Sequence, residues 1–274
     1  MSANQFNPND CHRAFRDGVA PLFAPVTDGT KLDARLLFNL RLVADSGMLE
    51  PGRHLLDIGA GLSAFGPVAR QLGLEVTLVD DFAGGGGVVA GHEAQEQAML
   101  KAFEQKLGIR ISRQDVLFQP LPLPDASVDI VTCFNSLEHW HHSPKRLFRE
   151  IVRVLKPRGV LLLATPNAAN IRKRVYAVFG ENIFDRLEWW YQDGDPQFRG
   201  HVREPIVRDL KQIMHWNGFE VFAVHGRNFI GRYSKSLGFL PPGLVTAFAG
   251  LADYLLRPFP TLCSDIFVVG RKTK

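Results

Sequence analysis

The chain has 274 residues, 46% of them hydrophobic, and a formal net charge of +4, enough for one large α/β domain with insertions but short for two full domains. A charge this modest, without a basic run interleaved with aromatics, argues against nucleic acid as the partner. Cys11, Cys133 and Cys263 are widely spaced and form no Cys-x-x-Cys pair, which argues against a disulfide framework or zinc site and for a reducing cytoplasm.

In chain order, apolar residues recur at helical spacing over 33–48 (Leu36, Leu37, Leu40, Val43, Ala44) until Pro51-Gly52 ends the run. Residues 1–50 therefore read as an N-terminal helical segment without a charged-then-apolar leader, and residues 51–274 as the main domain. His54–Ile58 is an apolar strand that breaks into the turn Gly59-Ala60-Gly61. Ser63 is the expected N-cap of the next helix, which ends near Gly73. A second strand, 75–79, is closed by Asp80. The glycine run 84–87 reads as a connector, followed by a helix over 91–107 and a short strand over 109–112. Val128–Phe134 has the composition of a central strand. A helix over 144–155 stops at Lys156-Pro157-Arg158-Gly159, and a further buried strand, 160–164, ends at Thr165-Pro166-Asn167. This alternation predicts an α/β fold with a doubly wound parallel sheet.

Beyond residue 167 the rhythm changes. Residues 168–203 are rich in aromatics, among them Trp189, Trp190 and Tyr191. A helix over 205–217 and strands over 219–224 and 266–270 follow. Residues 168–203 and 231–262 read as insertions covering an acceptor cleft, with Trp189–Tyr191 either lining a pocket or plugging the sheet edge. The apolar stretch 244–256 carries too few charges for a strongly amphipathic face and reads as part of that cover rather than a membrane contact. No apolar run approaches the roughly 20 residues needed to cross a bilayer.

The turn after the first strand carries the chemistry. Gly59 and Gly61 allow a sharp bend and a close approach of a ligand to the main chain. Asp80, about 20 residues on, is placed to accept hydrogen bonds from ribose hydroxyls; Asp81 beside it is the alternative. Gly59 to Ala64 also fits the loose dinucleotide pattern, so a nicotinamide cofactor is a rival reading. Asp57 argues against it, because its carboxylate would repel a pyrophosphate in a low-dielectric crevice and attract a ligand bearing an ammonium and a sulfonium. S-adenosylmethionine is such a ligand.

These blocks together resemble the class I S-adenosylmethionine-dependent methyltransferases over nearly the whole chain. Asp57-Ile58-Gly59-Ala60-Gly61 resembles the first motif of that family and Asp80 its ribose-binding acid. Residues 129–139 resemble the fourth strand and its loop, and residues 149–159 the helix and turn before the fifth. The resemblance implies a seven-stranded, mostly parallel sheet whose last strand lies beside the sixth. It also implies that Asp115 and the Val116 main chain contact adenine, and that Asn135 lends a main-chain carbonyl to the ligand's ammonium. Arg158 stands where many relatives have glycine. Residues 200–204 are similar to a segment of bacterial ubiquinone-biosynthesis and cell-envelope methyltransferases, which implies a small-molecule, lipid or sugar acceptor. A non-catalytic S-adenosylmethionine-binding protein is a further alternative.

Asp57, Gly59, Ala60, Gly61, Asp80, Asp81, Asp115, Val116 and Asn135 are thus the expected cofactor contacts. His139 and His201 are the candidate acid–base residues, His201 together with Glu204. His139, His141 and His142 cluster in sequence without a third ligand and second shell to hold a metal, so no metal is expected. Arg172-Lys173-Arg174 reads as a solvated helix face.

Overall fold

A computed structural model describes residues 6–23, 33–82, 93–185, 187–191, 198, 200–229 and 242–273. The glycine run 84–87 and residues 231–241 of the expected cover lie outside the described residues. In chain order the elements are α1 (Pro8–Ala14), a π-helical turn (Phe15–Val19), α2 (Ala20–Phe23), α3 (Ala34–Asp45), β1 (His54–Ile58), α4 (Phe65–Gln71), β2 (Glu75–Asp80), α5 (Glu93–Leu107), β3 (Arg110–Arg113) and β4 (Val128–Phe134). There follow α6 (Lys145–Val154), β5 (Leu155–Pro166), α7 (Ile171–Val178), α8 (Leu187–Trp190), α9 (Val207–Trp216), β6 (Phe219–Arg227), α10 (Pro242–Leu256) and β7 (Asp265–Lys272).

The strands form one seven-stranded sheet in the order β3-β2-β1-β4-β5-β7-β6. β1 runs parallel to both β2 and β4, and β2 parallel to β3. This is the expected doubly wound α/β sheet. The chain reverses its direction of winding between β1 and β4, and sheets of this class open a crevice beyond the carboxyl ends of the strands at that point.

Two compact units divide the chain. The first holds the described residues up to Phe134, His142–Leu162 and the chain end from Arg271; the second holds Asn135–His141 and Leu163–Gly270. In the first, every residue of β1 is buried, as a parallel strand covered on both faces requires. α6 turns Leu147, Phe148, Ile151 and Val154 inward at the i, i+1, i+4, i+7 spacing of one helix face. Full burial of each such side chain is worth about 1.5–3 kcal/mol. α4 lies close on β2: a Cβ on Gly66 would meet Leu78 Cδ2 at 2.6 Å. In the second unit, α9 buries Val207, Leu210 and Met214.

Several boundaries differ from the sequence expectation. Residues 155–159 are strand rather than a break after the helix, so β5 runs on from α6 with no intervening loop. The bend there falls on Arg158, whose φ of 62° is left-handed, which explains why glycine suits that position. The N-cap of α4 is Ala64, not Ser63. Ser63 still helps one residue upstream, its Oγ accepting from Phe65 N at 3.1 Å. α9 begins at Val207, with Ile206 as its N-cap and Asp209 accepting from the Ile206 amide. Pro205 and Glu204 therefore precede the helix, and Glu204 is engaged elsewhere.

Candidate active site

The turn expected to hold the cofactor is built by backbone geometry. Gly59 and Gly61 have φ of 66° and 50°, a conformation that costs an L side chain roughly 1–2 kcal/mol. The Gly59 amide donates to Val79 O at 2.9 Å and binds the turn to β2. A Cβ on Gly61 would meet nothing within 4 Å, so the main chain there is open to a ligand. Ala60, between them, is buried.

Asp80 ends β2 with both oxygens fixed. Gly61 N donates to Oδ2 at 2.9 Å and Phe82 N to Oδ1 at 2.7 Å. Each oxygen keeps lone-pair capacity for a hydroxyl donor. Phe82, with φ of 48°, is held in a left-handed turn that aims its amide at Asp80; strain of this kind is characteristic of ligand clamps. Burial is the largest influence on Asp80 and raises its pKa against the two amide bonds, with neighbouring Asp81 adding to the rise. Asp81 itself is exposed.

Asp57 lies under the turn, 4% exposed. The parallel register sets it beside Thr132, whose Oγ1 donates to Asp57 Oδ1 at 2.6 Å. Burial pushes its carboxyl up to about 7, and the charge of Asp80 adds to the rise. From the sequence alone Asp57 reads as a fully ionised carboxylate. The buried carboxyl is instead half protonated near neutrality, and a nearby cation would complete its ionisation.

Asp115 and Val116 follow β3. Asp115 is exposed and its Oδ1 accepts from Leu117 N at 2.9 Å, so this oxygen caps the turn over Val116, which is buried.

In the second unit, Asn135 adopts a φ of 53° and its amide donates to Ala164 O at 2.9 Å. Asparagine tolerates this left-handed conformation better than most residues. Glu138 follows in a short 3-10 turn with 1% of its surface exposed. Thr165 Oγ1 donates to it at 3.1 Å and Asn135 Nδ2 reaches it at 3.5 Å. Burial lifts its carboxyl to about 7.

His139 and His201 are brought together, with ring centroids 5.0 Å apart and edge-on. His139 Nδ1 contacts Gly200 O at 3.2 Å, and His201 Nδ1 contacts Glu204 Oε1 at 2.8 Å. Lys173 Nζ pairs with the other Glu204 oxygen. On His201, burial is the largest influence and lowers the pKa. The bond to Glu204 and the charges of Glu138 and Asp185 override it, holding the imidazole above its ordinary value. Burial likewise opposes ionisation of Glu204, but its bonds to His201 and Lys173 keep it below the usual range.

His141 and His142 do not join this group. His141 Nε2 contacts Phe198 O at 2.5 Å, and His142 packs against Phe118. The donor atoms of Glu138, His139 and His201 do lie within 4.8 Å of one another, the span a single divalent ion would bridge. Sequence reasoning passed over Glu138 and Lys173. Lys173, read as solvated, turns inward; Arg172 and Arg174 on either side are exposed.

Beside His201 lies a cavity of about 440 Å³ lined mainly by apolar groups, among them Phe184, Leu187, Trp190, Phe198 and Val202. Asp185 and Asn182 supply polar edges, and Asp185 Oδ2 accepts from His201 N at 2.9 Å. Trp190 lines this cavity at its exposed rim, and Trp189 and Tyr191, exposed as well, do not line it.

A family model described as a methyltransferase domain matches residues 30–224. A probable S-adenosylmethionine-dependent methyltransferase of Mycolicibacterium smegmatis is 34% identical over 102 residues, 37% of this chain and 32% of that protein. A ubiquinone biosynthesis O-methyltransferase of Coxiella burnetii is 30% identical over 137 residues, 50% of this chain and 53% of that protein. The match thus spans about half or less of these relatives' length. Among solved structures, the cyclase SpnF shares the fold with a TM-score of 0.52 at 20% identity over 95% of each chain.

Proposed function

Since this chain belongs to the methyltransferase-domain family, among the class I S-adenosylmethionine-dependent methyltransferases, we propose that it methylates a hydroxyl on a small, largely apolar acceptor. The observation that carries this reading is the apolar cavity beside His201, itself hydrogen-bonded to Glu204. S-adenosylmethionine supplies a methyl group on a good sulfonium leaving group.

The chain's own residues then have three tasks. Asp80 accepts ribose hydroxyls on oxygens already oriented by Gly61 and Phe82, and Asp115 with Val116 bounds the adenine end. Asp57 contributes negative charge beneath the turn, and Asn135 offers main-chain carbonyl to the ammonium. The aromatic side chains of the cavity fix the acceptor, and holding the reacting atoms at about 3–3.5 Å is the main source of rate in such a transfer. His201 takes the hydroxyl proton on Nε2, since Nδ1 faces Glu204, which stabilises the resulting imidazolium. His139 forms the adjoining wall.

An apolar acceptor agrees with the similarity to the Coxiella burnetii ubiquinone biosynthesis O-methyltransferase. The test has two arms. Calorimetric titration should give heat with S-adenosylhomocysteine and none with NADH; the reverse would make the chain a nicotinamide-dependent protein. Release of S-adenosylhomocysteine should then be seen with hydroxylated aromatic or lipid-like acceptors and not with sugars.

A second reading has support from the likeness to SpnF, a cyclase by name: a fold of this kind can carry a reaction other than methyl transfer. Cofactor binding with no turnover across the acceptor screen would favour it.

A further inference from the structure

α7 is an eight-residue helix with no buried residue. Its apolar side chains share one face: Ile171, Val175, Val178 and, at the C-cap, Phe179 fall at i, i+4, i+7 and i+8. Val178 is 82% and Phe179 77% exposed. Arg172 and Arg174 project at the two borders of that face, one on each side of it. Arg172 lies 5.8 Å from the Tyr176 ring, and Arg174 donates only to the carbonyls of Ala169 and Thr261. Neither has an acidic partner among the described residues. Phe184, Trp189, Trp190 and Tyr191 follow within a dozen residues and are also exposed. Arg174 also reaches Thr261 O at 3.3 Å.

We infer that α7 and the aromatic stretch after it form a docking face for an anionic lipid surface. An apolar ridge bordered by arginines whose stems can lie along hydrocarbon while their heads reach phosphate is the layout of an interfacial helix. Tryptophan and tyrosine prefer the headgroup boundary, where an apolar ring and a polar edge are both accommodated. The exposed charge on α7 itself is positive, Arg172 and Arg174 with no acid on the helix, Lys173 being turned inward onto Glu204, and this favours an anionic partner. No described helix is long and apolar enough to cross a membrane, so the contact is peripheral. The face also leads somewhere: Phe184, Leu187 and Trp190 are exposed and at the same time line the cavity beside His201. An apolar acceptor concentrated in a bilayer would enter there. That last step alone rests on the proposed acceptor class.

The test is flotation of the full chain with vesicles, without cofactor or acceptor. Vesicles of phosphatidylcholine with phosphatidylglycerol should carry the protein upward, and pure phosphatidylcholine should do so several-fold less. Each arginine near an anionic surface contributes about fivefold in affinity, so R172Q/R174Q should lose about 25-fold, and added salt should mimic that loss. F179S/W189S should lose binding to both vesicle types. All four substitutions are at exposed positions, and unchanged melting temperatures establish that the variants fold. Absence of flotation, or equal flotation of all variants, overturns the inference. So does a dimer in solution that F179S/W189S converts to monomer without any vesicle binding, which would assign the face to a second copy. Because no cofactor or acceptor is present, failure here leaves the methyl-transfer reading standing, and failure of that reading leaves this one standing.

Discussion

The Gly61 amide donates to Oδ2 of Asp80 at 2.9 Å, so the turn after β1 and the acid that ends β2 are one unit. The same carboxylate takes the Phe82 amide, and its remaining lone pairs are therefore set in direction before any ligand arrives. Asp80→Ala should weaken S-adenosylhomocysteine binding by about 1.5–3 kcal/mol, the scale of lost charge-assisted hydrogen bonds, or about 10- to 150-fold. Calorimetry measures this directly. Unchanged affinity would give the ribose to another residue.

Asp57 makes binding pH-dependent. Its folded pKa of about 7 lies above the unfolded value of 3.8. The folded state therefore holds more protons between these values, and its stability falls as pH rises through that window. A bound cation reverses the penalty by favouring the ionised carboxylate. Affinity for S-adenosylmethionine should thus rise between about pH 6 and 8, with release of a fraction of a proton. Titrations in two buffers of different ionisation enthalpy report that proton. In Asp57→Asn the pH dependence should flatten; a wild-type protein that exchanges no proton would remove Asp57 from this role.

Glu204 raises the pKa of His201 through its hydrogen bond and charge. Glu204→Gln takes away the hydrogen bond and charge that raise its pKa, so the imidazole should titrate at lower pH, read from its ring-proton NMR shifts. A rate that depends on neutral His201 rises as pH passes its pKa, and the rising limb should move to lower pH in the variant. If the imidazole titrates at the same pH in both proteins, Glu204 does not govern it. A His201 pKa raised by its partner also contributes stability at low pH that is lost as pH climbs through the folded value.

Arg158 offers a stability test remote from the site. An L residue at φ 62° carries a strain of roughly 1–2 kcal/mol, and glycine there gives back about half through its looser unfolded chain. Arg158→Gly should stabilise by about 0.5–1 kcal/mol and raise Tm by about 1–3 °C for a chain of this size. A lower Tm would mean that the exposed guanidinium contributes more than its backbone costs.

The strands that position the cofactor turn were legible because a parallel strand buried on both faces is dominated by bulky apolar and β-branched residues: His54–Ile58 and Val128–Phe134 carry the same bounds in sequence and structure. Asp80 was legible for a related reason, as the first charge after such a run. Lys173 was not, since Arg172-Lys173-Arg174 gives no sign which cation turns inward; the choice depends on Glu204, 31 residues away in sequence. Glu138 was overlooked beside two histidines because its significance comes from burial, which a three-residue turn does not announce. The start of α9 was misplaced because Pro205 resembles a first helical residue while the ion pair at Glu204 holds the chain back.

Glu204 divides its two oxygens between Lys173 on α7 and the ring of His201. These neighbours are rivals for one negative charge. Any event that draws Lys173 away leaves that charge wholly to the imidazole and tightens its grip on the proton; any event that presses Lys173 home loosens it. A perturbation felt on the outer helix is therefore registered as a change in basicity inside.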